Sequence, residues 1–436
     1  MRRNIHNMMI GGLILCSLLT ASCRRNVFNL GDYQRIVDIE STVDSIDQYH
    51  NWQLGSTRTY NITLPTGIGA VKMYVMSANP HREESPVIMA QMPVSDGDEK
   101  RVFMYVPNTQ QRMYAALLDS MGTYTVYSFF ASNQTVELKT LVGNKQTPLT
   151  NINKLQALTC LFEEECPQPG DYDYNDIVLR ISQEPIGDRQ IDIHVTLSAV
   201  GATKQIGAGI RLIGYQYESV DSITTEGGAS FNFGGTNHDQ PLLSFKVWPN
   251  ELVLQQTRTD HEPLIALFDD AHWAMADDED IQSGLSKRWF YNTVNPVNEE
   301  TSKVVPERTI TYHVYFREGT NLSDFSLGKL DPFIVETYLA SRWEIHGYRY
   351  RNAQSLLSYQ MEDVRALPWA LIIPDGDFRY PKEGRHIGFG KEGTNGQDAG
   401  LFGPYSEPKH SFAEWSYNMN NCTDWYLHLF NEAEAY

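Results

Sequence analysis

Short strand-like runs separated by turn sequences follow one another over residues 57–140 of this chain. Seven such runs lie between Thr57 and Thr140, among them TRTYNITL, AVKMYVMS and KRVFMYV, and segments such as PTGIG and SDGDEK separate them. Strands of this length joined by turns rich in Gly, Pro and Asp are typical of a β-sandwich of immunoglobulin-like size. We therefore predict a small N-terminal β-sandwich domain over residues 53–142.

A second, larger domain is predicted over residues 155–430. Apolar residues alternate with polar ones in two of its segments, QIDIHVTLSAV at 190–200 and RTITYHVYF at 308–316. In the first segment one face carries Ile191, Ile193, Val195, Leu197 and Ala199. Strict alternation indicates half-buried strands of an antiparallel sheet. The best helix candidate is LIALFDDAHWAM at 264–275, so the predicted fold class is mainly β, an antiparallel β-sandwich-like domain with short helices.

The N-terminus reads as an export signal. Residues 1–22 contain two arginines, an apolar stretch and small residues before Cys23, and the apolar stretch is too short to span a membrane. The sequence LTASC resembles the bacterial lipobox, which predicts a lipoprotein signal peptide and lipidation of Cys23. The alternative is an ordinary cleaved signal that happens to end in cysteine. Residues 23–52 are predicted to form a tether.

A lipidated cysteine would carry several acyl chains, which is enough for stable attachment to a membrane. We therefore expect an outer membrane lipoprotein of the cell envelope. The sequence leaves open the periplasmic and the surface face, although Arg24 and Arg25 favour the periplasmic one because surface display in some Gram-negative groups uses an acidic signal. The formal net charge of −19 argues against nucleic acid as a partner, since phosphate binding requires basic surfaces.

Cys160 and Cys166 flank the segment LFEEE. Two cysteines this close in an exported protein predict a local disulfide. The alternative is that these cysteines remain buried thiols that pack as small apolar groups.

An acidic loop, PGDYDYNDIVLRI at 169–181, is the strongest indication of a metal site. Asp171, Asp173 and Asn175 alternate along it, and Asp176 follows. Oxygen ligands at alternate positions suit calcium, so we predict these four residues as metal ligands and calcium as the cofactor. An EF-hand is excluded, because Asp176 stands where that loop needs glycine and Ser182 where it needs glutamate.

Calcium takes about six to eight oxygen ligands, so other carboxylates would have to complete the shell. The candidates are Glu163, Glu164, Glu165, Asp269, Asp270, Asp375 and Asp377. The alternative is a turn capped by its own Asp and Asn side chains, with no metal.

Five blocks in this order resemble the LruC-domain family of bacterial lipoproteins: DYDYNDIVLRI, LIALFDDAHWAM, DPFIVETYLASRWEIH, LPWALIIPDGDFRYPKEGRHI and FAEWSYNMNNCTDWY. The similarity covers roughly Asp171 to Trp425. The resemblance implies an envelope lipoprotein domain, and this family has no established biochemical activity.

Two further features bear on function. Arg342, Glu344 and His346 alternate in RWEIH, which predicts either a polar binding face or a cross-strand ion-pair patch. There is no GxSxG elbow and no zincin spacing, so we expect no enzyme.

The sequence predicts a lipid-anchored envelope protein with a non-enzymatic binding or adhesion role, with a glycan or an envelope protein as partner and calcium stabilising the larger domain. The alternatives are a structural or assembly component of an envelope or surface complex and a calcium-dependent glycan hydrolase, in which two carboxylates would act on the sugar.

Overall fold

The protein is mainly β in a computed structural model. The structure describes residues 47, 49–82, 86–145, 152–164, 171–231, 253–254, 262–284, 290–293, 301–338, 341–347, 367–388, 401–402, 411–430 and 432–436. The predicted signal, Cys23 and most of the tether lie outside these residues. Among the described residues, no helix has the length and apolar character needed to cross a membrane.

The first nine strands form the small domain. The first eight have the bounds β1 Gly55–Thr63, β2 Ala70–Met76, β3 Val87–Pro93, β4 Glu99–Pro107, β5 Arg112–Asp119, β6 Tyr124–Phe130, β7 Thr135–Glu137 and β8 Leu141–Lys145. Each of the seven runs in the sequence overlaps one of the strands β1 to β7. A three-stranded sheet has the order β4-β1-β7, and a six-stranded sheet has the order β8-β6-β5-β2-β3-β9, where β9 is Lys154–Leu155. Apolar side chains such as Tyr60, Met73 and Met104 are fully buried in the core of this sandwich.

The large domain is built from thirteen further strands among the described residues. They are β10 Ala157–Phe162, β11 Ile177–Ile186, β12 Gln190–Val200, β13 Gly207–Leu212, β14 Val220–Thr225, β15 Val253–Leu254, β16 Leu264–Phe268, β17 Phe290–Tyr291, β18 Ser302–Lys303, β19 Arg308–Phe316, β20 Leu330–Tyr338, β21 Ser341–His346 and β22 Ala370–Ile373. Three short α-helices accompany them, α1 Ala271–Met275, α2 Asp278–Gln282 and α3 Phe412–Tyr417. Single 3-10 turns lie at Tyr217–Ser219, Glu226–Gly228, Leu327–Lys329, Trp425–Leu427 and Glu432–Glu434.

Two sheets of the large domain pack face to face. The eight-stranded sheet follows the order β14-β19-β12-β11-β10-β22, with β17 beside β12 and β18 beside β17, and the five-stranded sheet follows the order β15-β16-β13-β20-β21. Their facing side chains form one apolar core, to which β12 contributes Ile191 and Ile193 and β13 contributes Ile210. The fold is therefore the predicted one, a small β-sandwich followed by a larger antiparallel β-sandwich with short helices.

The alternation in β12 breaks at its end. The side chains of Ile191, Ile193, Val195 and Leu197 face the sandwich core as predicted, but Ala199 packs on the opposite side of the sheet. The reason is a β-bulge: Val178 pairs with Ala199 whereas Leu179 pairs with Leu197, which leaves Ser198 as an extra residue. A bulge of one residue reverses the face of every residue that follows.

The predicted helix at 264–275 is mostly wrong. Leu264–Phe268 is β16, and it pairs with β13 and β15. Only Ala271–Met275 is helical, starting where the side chain of Asp270 accepts a hydrogen bond from His272 N. All five residues of β16 are buried, and a continuous apolar run of this length fits a buried strand as well as a buried helix.

A second apolar core covers the outer face of the eight-stranded sheet. Its rings, which we call the aromatic layer, are Tyr172, Tyr174, Phe378, Tyr380, Phe402, Phe412, Trp415, Trp425 and Tyr426. They pack on Leu161, Val178 and Ile373 of the sheet. The ring centroid of Trp425 lies 5.0 Å from Phe402 and 5.1 Å from Phe412, in edge-to-face geometry. Rings from the acidic loop and from the C-terminal region thus share one core.

Candidate metal centre

The acidic loop lies directly before β11, on the side of the sheet that carries the aromatic layer. Tyr172 and Tyr174 both adopt left-handed backbone conformations, with φ of 57° and 55°. Their rings are buried, and the Tyr174 hydroxyl donates to Pro368 O at 2.7 Å. A left-handed residue other than glycine costs about 1–2 kcal/mol. Burial of the rings offsets this cost, and the alternating residues Asp173 and Asn175 are left to face a polar cluster.

Three carboxylates converge there. One oxygen each of Glu163, Asp171 and Asp173 lies within 4.8 Å of the other two, an arrangement that could hold a metal ion. Glu163 follows β10, and it and Asp173 are each only 1% exposed. Glu163 Oε1 accepts a hydrogen bond from Tyr174 N at 2.6 Å, and Asp173 Oδ2 accepts one from Gly384 N at 2.7 Å. Glu163 Oε2 is buried and accepts no hydrogen bond from any described residue.

Two more buried oxygens lie beside this cluster. Asn175 Oδ1 and Glu383 Oε2 have no hydrogen-bond partner of ordinary geometry within the described part of the chain, although the Thr293 hydroxyl is near enough to Glu383 to lower the pKa of its carboxyl. They lie close to each other, because a Cβ placed on Gly201 would be 1.9 Å from the first and 2.8 Å from the second. Gly201 follows the bulge in β12, and its N–H donates to Asn175 O at 3.0 Å. We call Glu163, Asp171, Asp173, Asn175 and Glu383 the acidic centre.

Asp176 and Glu164 stand beside the acidic centre with defined partners. Asp176 Oδ2 accepts a hydrogen bond from Glu164 N at 2.6 Å. The Glu164 carboxylate accepts hydrogen bonds from Thr203 N, Thr203 Oγ1 and Lys204 N. These bonds connect the end of β10 to the segment after β12. They hold the backbone around the acidic centre in place, while one oxygen of Asp176 is already engaged.

Burial and mutual repulsion govern the charge of this region. Burial, followed by the neighbouring carboxylates, raises the pKa of Glu163, Asp173 and Asp176 well above their ordinary values. Burial together with Asp171 and Glu164 raises the pKa of Glu383 to about 8. Buried carboxylates that repel one another are stabilised either by protons or by a cation. A divalent cation would compensate several of these charges at once.

The donors in the acidic centre are carboxylate and amide oxygens. Such hard ligands suit calcium, which accepts mixed carboxylate and carbonyl shells of irregular geometry. The structure thus brings together two of the four predicted ligands, Asp171 and Asp173, with Glu163, and places Asn175 and Asp176 beside them. Glu163 is the one remote candidate that joins the centre.

The other remote candidates have different surroundings. Asp270 caps α1, and Asp269 Oδ2 lies 3.3 Å from Gln205 Nε2. Asp375 accepts a hydrogen bond from Asp377 N, and Asp377 forms an exposed ion pair with Lys154. Glu165 lies outside the described residues. Glu383 was not among the predicted donors, because it stands in a charged turn with no alternating pattern and reaches the site only through the fold.

The predicted polar face at RWEIH is a buried ion-pair network. The side chains of Glu344 and His346 are only 10% and 3% exposed. His346 Nδ1 lies 2.9 Å from Asp331 Oδ2, and Arg211 NH2 donates to the same oxygen at 2.8 Å. The binding-face prediction is therefore wrong for these two residues, since their charges are satisfied across the strands. The Arg342 side chain lies outside the described part of the structure.

Cys160 occupies the sandwich core. It is fully buried on β10 with a free thiol, and burial raises the pKa of this thiol. This environment favours the alternative of a buried thiol that packs as an apolar group. Cys166 lies outside the described residues, so the disulfide stays a prediction.

Comparison with known proteins agrees with this fold. Residues 189–389 match the family model "Domain of unknown function (DUF4842)", and this model does not name the LruC-domain family that the sequence blocks led us to expect. No protein with a curated function matches the chain. The chain is similar to a "putative lipoprotein" from Bacteroides ovatus, whose crystal structure superimposes with a TM-score of 0.50 at 14% sequence identity, covering 84% of this chain and 99% of that one. At this identity the similarity demonstrates a shared fold, and the matched family model identifies residues 189–389 as similar to a domain of unknown function.

Proposed function

We propose that this protein is a lipid-anchored envelope protein with a non-enzymatic binding role, and that a calcium ion in the acidic centre stabilises its larger domain. The observation that carries the calcium site is the set of buried oxygens without described donors, Glu163 Oε2, Asn175 Oδ1 and Glu383 Oε2, beside Asp171 and Asp173. Burying acceptors without partners is costly, and a cation would satisfy all of them together.

The lipid anchor rests on the N-terminal sequence. The signal-like residues 1–22 precede Cys23 in a lipobox-like context. The fold similarity to a "putative lipoprotein" from Bacteroides ovatus supports the same proposal. We infer attachment to the outer membrane through acyl chains on Cys23.

A binding role fits the acidic centre better than hydrolysis does. Glu163 and Asp173 are about as buried as core side chains, at 1% exposed each, so a polysaccharide has little access to them. A glycosidase needs a proton donor and a second carboxylate on either side of the scissile bond. An ion with a structural role needs only enclosure. We therefore propose a glycan or an envelope protein as the partner, bound at the surface of a calcium-stabilised domain.

Calorimetric titration and thermal melts of the processed chain with calcium, with magnesium and with a chelator test the metal site. We expect calcium to bind and to raise the melting temperature, with magnesium much less effective because it requires a smaller octahedral shell. Asp173→Asn should remove most of this response. The matched control is Asp280→Asn, because Asp280 is also buried but pairs with Lys303. An identical melting temperature with calcium and with chelator in the wild type would refute the calcium site.

Detergent phase partitioning of cells that express the wild type or Cys23→Ala tests the anchor. We expect the wild type in the detergent phase and the variant in the aqueous phase. For the binding role, a glycan array and cross-linking in intact cells separate the candidates: a bound glycan supports adhesion, a single stoichiometric envelope protein supports an assembly component, and cleavage of a polysaccharide would overturn the non-enzymatic proposal.

A further inference from the structure

The acidic centre joins segments that are far apart in the sequence. Glu163 follows β10, Asp171 to Asn175 precede β11, and Glu383 lies in the segment 378–388 after β22. We infer that Asn175 Oδ1 and Glu383 Oε2 complete the calcium site, and that the bound ion fastens segment 378–388, and with it the aromatic layer, to the eight-stranded sheet. This inference rests on the proposed calcium site and extends it with a structural role for the ion and for Glu383.

Backbone contacts already align the two segments. Gly384 N donates to Asp173 Oδ2 at 2.7 Å, Asn175 Nδ2 donates to Pro381 O at 3.1 Å, and Ile387 N donates to Tyr172 O at 2.9 Å. The segments therefore run side by side over the length of the acidic loop. Glu383 stands between two of these contacts, and its neighbour Gly384 bonds directly to a carboxylate of the acidic centre.

The approach of Glu383 is unfavourable without a compensating charge. Glu383 Oε2 and Asn175 Oδ1 are two hydrogen-bond acceptors that both lie next to Gly201, and both atoms are buried. Asp171 and Glu164 add negative charge around Glu383. Two of the basic residues on its own segment have other contacts, since Lys382 Nζ donates to Ala433 O and Arg379 NH2 to Glu432 O. A cation between the two segments converts this repulsion into attraction.

The same segment carries rings of the aromatic layer. Phe378 stacks on Phe402 at 5.3 Å and meets Trp425 edge-on at 6.2 Å. The Tyr380 hydroxyl donates to Asn292 O at 3.0 Å. Phe378 and Tyr380 lie within five positions of Glu383, so binding of Glu383 to the ion restricts the motion of these two rings, which cover the sheet. Release of the ion would loosen this cover, because it removes the link between Glu383 and the acidic loop and leaves only hydrogen bonds and ring packing to hold the two segments together.

Glu383→Gln tests the ligand assignment, because it keeps the size of the side chain and removes its charge. We expect calcium affinity to fall at least tenfold, since even residues that only orient metal ligands contribute about 10–100-fold. In chelator the melting temperature of the variant should equal or exceed that of the wild type, because glutamine cannot ionise among the neighbouring carboxylates. In calcium it should be lower than that of the wild type. A residue with only a structural role would lower the melting temperature under both conditions.

Hydrogen exchange of the processed chain tests the fastening. In the wild type we expect calcium to slow exchange most strongly in peptides from 171–176, 378–388 and 411–427, and Glu383→Gln should lose that protection at calcium concentrations that saturate the wild type. Glu137→Gln is the control, because Glu137 pairs with Lys139 at the surface of the small domain.

The outcomes separate the two proposals. A wild type without any calcium response overturns the calcium site, and the inference with it. A calcium response that Asp173→Asn removes but Glu383→Gln leaves unchanged in affinity retains the site and overturns the role of Glu383. Protection spread evenly over the large domain overturns the fastening of the aromatic layer.

Discussion

Gly201 is the position where the smallest change should most disturb the acidic centre. In Gly201→Ala the new Cβ would lie 1.9 Å from Asn175 Oδ1 and 2.8 Å from Glu383 Oε2, whereas protein Cβ contacts essentially never fall below 3.0 Å. The backbone of Gly201 is not among those with positive φ, so alanine brings no conformational penalty of that kind. The substitution therefore tests packing at the site.

The structure gives the expected magnitude. Asn175 Oδ1 must retreat by about 1 Å to clear the methyl group, which places the substitution among overpacked cores that cost about 1–3 kcal/mol. Asn175 cannot turn away without losing its bond to Pro381 O at 3.1 Å, which adds about 0.5–1.5 kcal/mol. We expect the free energy of unfolding to fall by about 2–4 kcal/mol in calcium.

Urea denaturation followed by tryptophan fluorescence, with calcium and with chelator, measures this loss. Because the two displaced oxygens are proposed calcium ligands, the loss should be larger in calcium than in chelator by at least about 1.4 kcal/mol, which corresponds to tenfold in affinity. Gly207→Ala is the matched control, since the nearest atom to its Cβ is Phe268 O at 3.3 Å, away from the acidic loop. It should leave the calcium response unchanged. If Gly201→Ala unfolds like the wild type in both solutions, the close approach of Asn175 and Glu383 to Gly201 is refuted.

Three further predictions concern the rest of the large domain. His346→Gln should flatten the pH dependence of the unfolding free energy. Burial disfavours the charged forms of Asp331 and His346, but His346 and Arg211 lower the pKa of Asp331, and Asp331 and Glu344 raise the pKa of His346. The Asp331 contribution is complete above its unfolded pKa of about 4 and is lost as the pH falls through its lowered pKa, whereas the His346 contribution is complete below about 6.5 and is lost as the pH rises through its raised pKa; equal profiles of variant and wild type in urea titrations from acid to alkaline pH would contradict this network. Trp425→Ala should cost about 3–5 kcal/mol in urea denaturation, because a fully buried ring with five aromatic neighbours is removed, and a loss below about 1 kcal/mol would mean that the layer closes over the gap. Tyr174→Phe should cost about 1 kcal/mol by leaving Pro368 O without its 2.7 Å hydrogen bond, and an unchanged midpoint would show that another donor replaces the hydroxyl.

Features that depend on neighbouring residues in the sequence were predicted well, and features that depend on contacts between distant residues were predicted poorly. Alternation located β12 and β19, because each buries one face against the sandwich core. It misassigned Ala199 because a one-residue bulge has no compositional mark, and it misassigned β16 because an entirely buried strand shows no alternation. In the acidic loop, the alternate spacing of Asp171 and Asp173 was enough to predict them as metal ligands.

Glu383 has no such local mark. It stands more than two hundred positions from the acidic loop, and only the tertiary fold brings its carboxylate beside Asn175. The ion pairs of His346 were similarly ambiguous, since alternating polar residues suit an exposed face and a buried network equally well. The burial of Glu344 and His346 decides between an exposed face and a buried network. This burial depends on the neighbouring strands β20 and β13, which the sequence of β21 does not reveal.

The strand order also shows where this chain can be divided. The matched family model begins at residue 189, yet β10 and β11 come before it and form the interior of the eight-stranded sheet, with β10 between β11 and β22. A fragment cut at the limits of sequence similarity would expose the edges of β12 and β22 and lose Trp415 and Trp425 from its cover. A fragment that keeps the sheet whole is therefore wider than the matched segment: it includes β10 and β11 and runs on to the C-terminal tryptophans, and recombinant boundaries should follow the sheet.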